Sequence, residues 1–168
     1  MTLMGRIATA VFLTVLALPG AALAQATLPF GGFVHDSSLP VEIAADSLTL
    51  DQSDGSAIFE GTVEVAQGTL RMQADRIAVF YAEGGAQGGE VARMEARGNV
   101  LLTNGAEAAE AQEARYDVSS GEVAMSGDVL LTQGENVLAG QALRIDLTTG
   151  TARMEGRVQT VLNPRREP

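Results

Sequence analysis

From Pro40 onward the chain is written in period two. Val41, Ile43 and Ala45 alternate with Glu42 and Ala44, and Phe59, Gly61, Val63 and Val65 with Glu60, Thr62 and Glu64. Leu70, Met72 and Ala74 follow the same rule, then Ile77, Val79 and Tyr81, then Met94, Ala96, Gly98, Val100 and Leu102. Val123, Met125, Gly127, Val129 and Leu131 continue it, as do Leu143, Ile145 and Leu147, and finally Ala152, Met154, Gly156 and Val158. Strict alternation predicts half-buried strands with one apolar face. Turn pairs divide the runs: Asp54-Gly55, Gln67-Gly68, Asn104-Gly105, Ser120-Gly121, Gln133-Gly134 and Thr149-Gly150. The expected fold class is therefore all-β. Only Glu107 to Arg115 has a helix-like composition; its Ala and Glu residues form no apolar stripe, and it reads as a weak strand or loop.

The strands recur as a repeat. Gly-x-Val stands at Gly61-Thr62-Val63, Gly98-Asn99-Val100, Gly127-Asp128-Val129 and Gly156-Arg157-Val158, at Gly spacings of 37, 29 and 29. Arg76-Ile77, Arg115-Tyr116 and Arg144-Ile145 follow the first three marks by 15, 17 and 17 residues. The longer first spacing holds the insert Gly84 to Gly89, expected as a loop between strands. A unit of this size cannot bury its apolar face alone, whereas stacked units can. A β-helix, a sandwich and an open jelly roll would all satisfy this rhythm.

The first 24 residues have another character. Arg6, the apolar run Ile7–Leu18, the break at Pro19-Gly20 and the ending Ala22-Leu23-Ala24 form a signal peptide, expected to be cut after Ala24. The apolar run is short for a membrane anchor, which needs roughly 20 residues. Residues 25–39 lack periodicity and read as a flexible leader; residues 40–163 form the β domain and 164–168 a tail. An exported chain without cysteine has no disulfide framework. All eleven basic residues are arginine, and removing residues 1–24 moves the formal charge from −10 to −11. Scattered arginine in so acidic a chain excludes phosphate-backbone binding, which needs clustered positive charge.

The predicted inward set is Phe59, Val63, Val65, Leu70, Met72, Ile77, Val79, Tyr81, Met94, Val100, Leu102, Tyr116, Val118, Met125, Val129, Leu131, Leu143, Ile145, Leu147, Met154 and Val158. Such a set serves either an ordinary packed core or a groove for lipid chains. Met adapts to irregular apolar ligands, and each buried methylene contributes about 0.8 kcal/mol. Catalysis finds little support. His35 stands alone, no HExxH or Cys/His cluster is present, and Glu42, Glu64 and Asp75 are scattered in register. Asp51, Asp54 and Gly55 fit a turn better than a calcium loop. No cofactor and no metal is expected.

Three segments point to a family: Pro40-Val41-Glu42-Ile43-Ala44-Ala45-Asp46, then Gln67-Gly68-Thr69-Leu70-Arg71-Met72-Gln73-Ala74-Asp75-Arg76-Ile77 after Phe59–Val63, and Val158 to Pro164 at the end. Over about Pro40 to Pro164 the chain resembles the LptA/OstA family of periplasmic lipopolysaccharide transport proteins, most specifically in the second segment. The resemblance implies a twisted β-jelly-roll, open like a V, whose interior takes the acyl chains of lipid A. It implies bridging between an inner-membrane LptC-like protein at the N-terminal edge and an outer-membrane LptD-like protein at the C-terminal edge, with head-to-tail self-association. The edges would present Val41, Ile43, Leu48 and Leu50 at one end and Val158, Thr160 and Leu162 at the other. Gln141, where the family usually has Asp after Gly, is expected to loosen a local turn. The alternative function is a structural β-repeat protein with a closed core and no lipid ligand.

Overall fold

The computed structural model describes residues 27–29 (backbone only), 35–51, 53, 55–82 and 89–161; the expected signal peptide, the Gly-rich insert from Gly84 to Gly88, Leu162 and the expected tail lie outside them. The described residues form one open antiparallel sheet of eleven strands: β1 Thr27–Pro29, β2 Glu42–Ala44, β3 Ser47–Asp51, β4 Ser56–Gln67, β5 Leu70–Tyr81, β6 Val91–Asn104, β7 Glu107–Asp117, β8 Glu122–Gln133, β9 Asn136–Asp146, β10 Thr151–Glu155 and β11 Gln159–Val161. From β4 to β9 the order is a plain meander. At one end β2 and β3 both pair with β4; at the other β10 and β11 both pair with β9, and β1 closes over β10.

The Gly-x-Val marks are where the sheet bends. In β4, β6 and β8 the pairing register shifts across Glu60/Val63, Arg97/Val100 and Ser126/Val129. Two residues oppose one at each shift, which is a β-bulge. Both bulged residues adopt positive φ: Gly61 at 78° with Thr62 at 30°, Gly98 at 77° with Asn99 at 47°, Gly127 at 84° with Asp128 at 48°. Gly156 and Arg157, at 77° and 42°, continue the row between β10 and β11. Glycine is required here on two counts. The left-handed conformation strains other residues, and a Cβ on Gly61, Gly98, Gly127 or Gly156 would collide with the side chain of Asp46, Asp75, Gln112 or Gln141 respectively. Gln141 therefore occupies the seat held by aspartate at 46 and 75. It lies within β9 opposite a bulge and not in a turn, which corrects the expected loosening.

The bend row folds the sheet into two facing layers. One contains β2, β11 and the halves of β4–β9 that meet in two-residue hairpins, at Gly68-Thr69, Gly105-Ala106 and Gly134-Glu135. Gly at the first loop position with φ of 57°, 62° and 57° fits type II′ turns. The other layer contains β1, β3, β10 and the opposite strand halves. Its four-residue loops end in Gly55, Gly121 and Gly150, all at positive φ. We call these the short-turn and long-turn layers. Asp51, Asp117 and Asp146 open the long loops, each accepting hydrogen bonds from a Ser or Thr two residues on. Those bonds hold the three carboxyls below the ordinary carboxylate value.

Two segments that read weakly from the sequence are strand. Glu107 to Arg115, expected as a weak strand or loop, lies wholly within β7, paired along both sides in the middle of the sheet. Its period-two set of Ala109, Ala111, Ala114 and Tyr116 is buried, with one slip at the bend. Tertiary pairing here overrides the low strand preference of Ala and Glu. The leader is also not without structure, since β1 pairs Thr27, Leu28 and Pro29 with Arg153, Ala152 and Thr151. Proline is compatible with that position because β1 is an edge strand.

Candidate functional site

Alternating burial places the apolar residues of both layers in one interior. Val63, Val65, Leu70, Met72, Ile77, Val79, Met94, Val100, Leu102, Tyr116, Met125, Val129, Leu131, Leu143, Ile145, Leu147 and Met154 are all buried in a single cluster. Phe59, Tyr81 and Val118 pack against it half-buried. Val158 does not join them: it is 42% exposed, beyond the last bend, so it belongs only to the edge set. The inward set omitted Val123, Leu138 and the small residues Ala57, Ala74, Ala96, Ala109, Ala111, Ala114 and Ala152, all buried. Val123 was legible as the start of an alternating run. The alanines were weak signals because alanine is common on both faces of a sheet.

In this conformation the interior is filled. A cavity of about 10 Å³ remains where Val65, Leu70 and Met72 of the short-turn layer face Met94 and Tyr116 of the long-turn layer. That is roughly the room of one water. Larger concavities, about 420 and 600 Å³, lie on the outer faces, the first beside Arg97, Glu113 and Arg144, the second beside Leu101, Glu110 and Leu130. They are shallow and partly charged, and the first is flanked by the cross-strand pairs Arg97–Glu113 and Arg144–Glu122. The apolar interior is the better candidate for an apolar ligand.

The rims of the interior are polar. Gln67 and Asn104, read from sequence as turn residues, and Glu107, at the start of the expected weak strand or loop, are buried at the short-turn rim. Thr69 Oγ1 donates to Asn104 Oδ1 at 2.6 Å, and Gln133 Nε2 donates to Glu107 Oε1 at 2.7 Å. Tyr116 reaches across from the long-turn layer, its hydroxyl donating to Gln67 Oε1 at 3.1 Å. Burial pushes that hydroxyl up to about 12, with Asp117 adding to the effect, so Tyr116 remains a neutral donor near neutral pH.

The edges are apolar and uneven. Leu48 and Leu50 lie in the inward row of β3, opposite Phe59 and Ala57, yet are 53% and 55% exposed because no strand among the described residues covers them. Val41 and Ile43 are half-buried. At the other end Thr160 and Val161 of β11 are exposed, Val161 by 61%.

Over residues 42–151 the chain matches the family model of the LptA/(LptD N-terminal domain) LPS transport protein. The chain belongs to this family. An uncharacterised protein of Rhizobium meliloti (strain 1021) is 33% identical over 113 residues, covering 64% of this chain and 61% of that protein. The lipopolysaccharide export system protein LptA of Escherichia coli (strain K12) is 36% identical over 69 residues, covering 41% of this chain and 37% of LptA. The matches thus span less than two thirds of these relatives' lengths. The fold agrees with the crystal structure of LptH, the LptA homologous periplasmic component of the lipopolysaccharide transport device of Pseudomonas aeruginosa. The TM-score is 0.67 at 18% identity, over 77% of this chain and 99% of that one.

Proposed function

We propose that this LptA-family chain is a periplasmic lipopolysaccharide-binding bridge protein, exported by a signal peptide cut after Ala24. It carries lipopolysaccharide from the inner to the outer membrane with the acyl chains held between its two layers, and it performs no catalytic step. The N-terminal edge of β2 and β3 meets an LptC-like protein, and the C-terminal edge an LptD-like one. Copies join head to tail by strand addition, for which uncovered edges are suited.

The observation that carries this reading is the interior itself. It is apolar from β3 to β10, lined by Met72, Met94, Met125 and Met154, and left uncovered at Leu48 and Leu50. Each methylene drawn inside contributes about 0.8 kcal/mol, so a chain of a dozen carbons offsets a substantial cost of parting the layers. The test is a photo-crosslinking residue at Val79, Met94 or Leu131 in living cells, scored for lipopolysaccharide adducts. Adducts from these positions and none from Gln73 or Glu110 on the outer face support the reading. The small cavity favours a second reading, a closed structural module. Purified protein that fails to bind lipopolysaccharide would establish that one.

A further inference from the structure

Among the described residues, the layers are continuous through the bend but meet at the rims through side chains and one crossing segment. That segment is His35–Leu39. The His35 amide donates to the carbonyl of Leu147 on the long-turn rim at 2.9 Å. Gln67 on the short-turn rim donates from Nε2 to the carbonyls of Ser37 and Leu39, at 2.9 and 2.8 Å. Gly68 makes room for the crossing: a Cβ there would stand 2.7 Å from Leu39 Cδ1 and 3.6 Å from His35 Cε1. Asp36 shapes the segment, accepting from Ser38 N at 3.0 Å and Ser38 Oγ at 2.6 Å. Gln67 is 2% exposed. A primary amide so buried is costly unless partnered, and this one joins three segments: the crossing segment, β4 and, through Tyr116, the opposite layer.

We infer that His35–Leu39 is a strap across the mouth of the folded sheet, held by Gln67, and that its release is the step that admits an acyl chain. This rests on the lipid-carrying reading above. The interior has no room for a chain while the layers are together, and the bend cannot part without breaking the sheet. The rims can part, and the strap is what crosses them. Its hold consists of a few hydrogen bonds on a largely exposed segment, so it opens more readily than the packed interior. A chain delivered end-on past Leu48 and Leu50 would not depend on the strap, which makes the two routes separable.

The experiment measures uptake of dansyl-undecanoic acid by the signal-free chain in stopped flow, beside amide exchange at residues 35–39 and Leu147. Gln67→Leu removes both strap bonds and the Tyr116 bond at similar volume. Asp36→Ala, at an exposed position, unshapes the strap without touching the interior and stands in if Gln67→Leu folds poorly. Tyr116→Phe removes only the cross-rim bond. Uptake by Gln67→Leu is expected to be at least about tenfold faster, the effect of two lost net hydrogen bonds. Asp36→Ala should be several-fold faster, with faster exchange at the strap in both variants; Tyr116→Phe, which loses one cross-rim bond, should be faster by less than Gln67→Leu and leave strap exchange unchanged. Unchanged uptake in Gln67→Leu and Asp36→Ala despite faster strap exchange overturns the strap and leaves the lipid reading intact. Unchanged exchange in both overturns it as well. Absence of uptake in the wild type and every variant sinks the lipid reading and the strap with it.

Discussion

The two ends of the folded sheet are built from the same repeat and finished differently. At the N-terminal end the long-turn layer stops at β3, and the inward row runs out at Leu48 and Leu50, both more than half exposed. At the C-terminal end the same layer stops at β10, whose inward residues Ala152 and Met154 are 3% and 5% exposed. Two features close that end. β1 pairs along β10, and Met154 lies over Gly140, where a Cβ would stand 2.7 Å from its Cγ and Sδ. Among the described residues, one end leaves its inward row exposed and the outer edge of β3 unpaired; the other has its interior stopped by a methionine and its long-turn edge occupied by the chain's own β1. An interior that continues from copy to copy would then be gated at one end only.

The sharpest way to break this comparison is the same substitution at both ends. Met154→Asp places a carboxylate in the stopped end and is expected to cost about 3 kcal/mol or more. For a chain of this size that lowers Tm by about 10 °C. Leu50→Asp replaces a side chain already half in water and should stay within about 0.5 kcal/mol, the range of surface changes. Thermal unfolding of the two variants side by side decides the matter. Equal losses would mean that both ends are closed in solution.

Association comes next in size. Leu48→Arg with Leu50→Arg puts two charges on the bare edge, a device by which natural sheets avoid pairing. Head-to-tail self-association, followed by sedimentation velocity, is expected to weaken at least about tenfold, the equivalent of about 1.4 kcal/mol. Deleting Thr27–Pro29 should act in the opposite direction and less strongly, by freeing the β10 edge for a neighbouring copy. If that deletion left association unchanged, β1 would not compete for the edge.

Legibility in the sequence follows the same division. The alternating runs and Gly-x-Val marks were visible because a buried face and a bend each demand particular residues at fixed spacing. The bends were also written in the slips of period, from Ala74 to Ile77 and from Ala111 to Ala114, where the inward row passes across the bulge row. The middle strand β7 was obscured because alanine fills a tight interior without announcing a strand. The closure of the C-terminal end was not legible at all. β1 is three residues long and pairs with a strand more than 120 residues further on, and nothing in the sequence around Gly140 announces that Met154 lies over it. Gln67 likewise reads as a turn residue, since its burial exists only once the layers meet.

The smallest expected difference is in acid. Asp51 closes β3 at the open end and Asp146 closes β9 beside the stopped end. Both carboxyls are held below the ordinary value of 3.8, first by the side-chain hydroxyls of Ser53 and Thr148 and then by backbone amides. A depressed carboxyl contributes stability that is fully present above its unfolded value and is lost as pH falls through the lower folded value. Both turns should therefore hold at pH 5 and weaken below about 4. Neither carboxyl is buried, so the effect on global stability is small and the useful readout is local. In Asp146→Asn, loosening at Thr148 and Thr149 adjoins Leu147, whose carbonyl receives the His35 amide, so faster amide exchange should spread to His35. In Asp51→Asn it should remain at Ser53, because β3 has no strand beyond it among the described residues. Exchange that spread equally from both sites would remove the mechanical distinction between the ends.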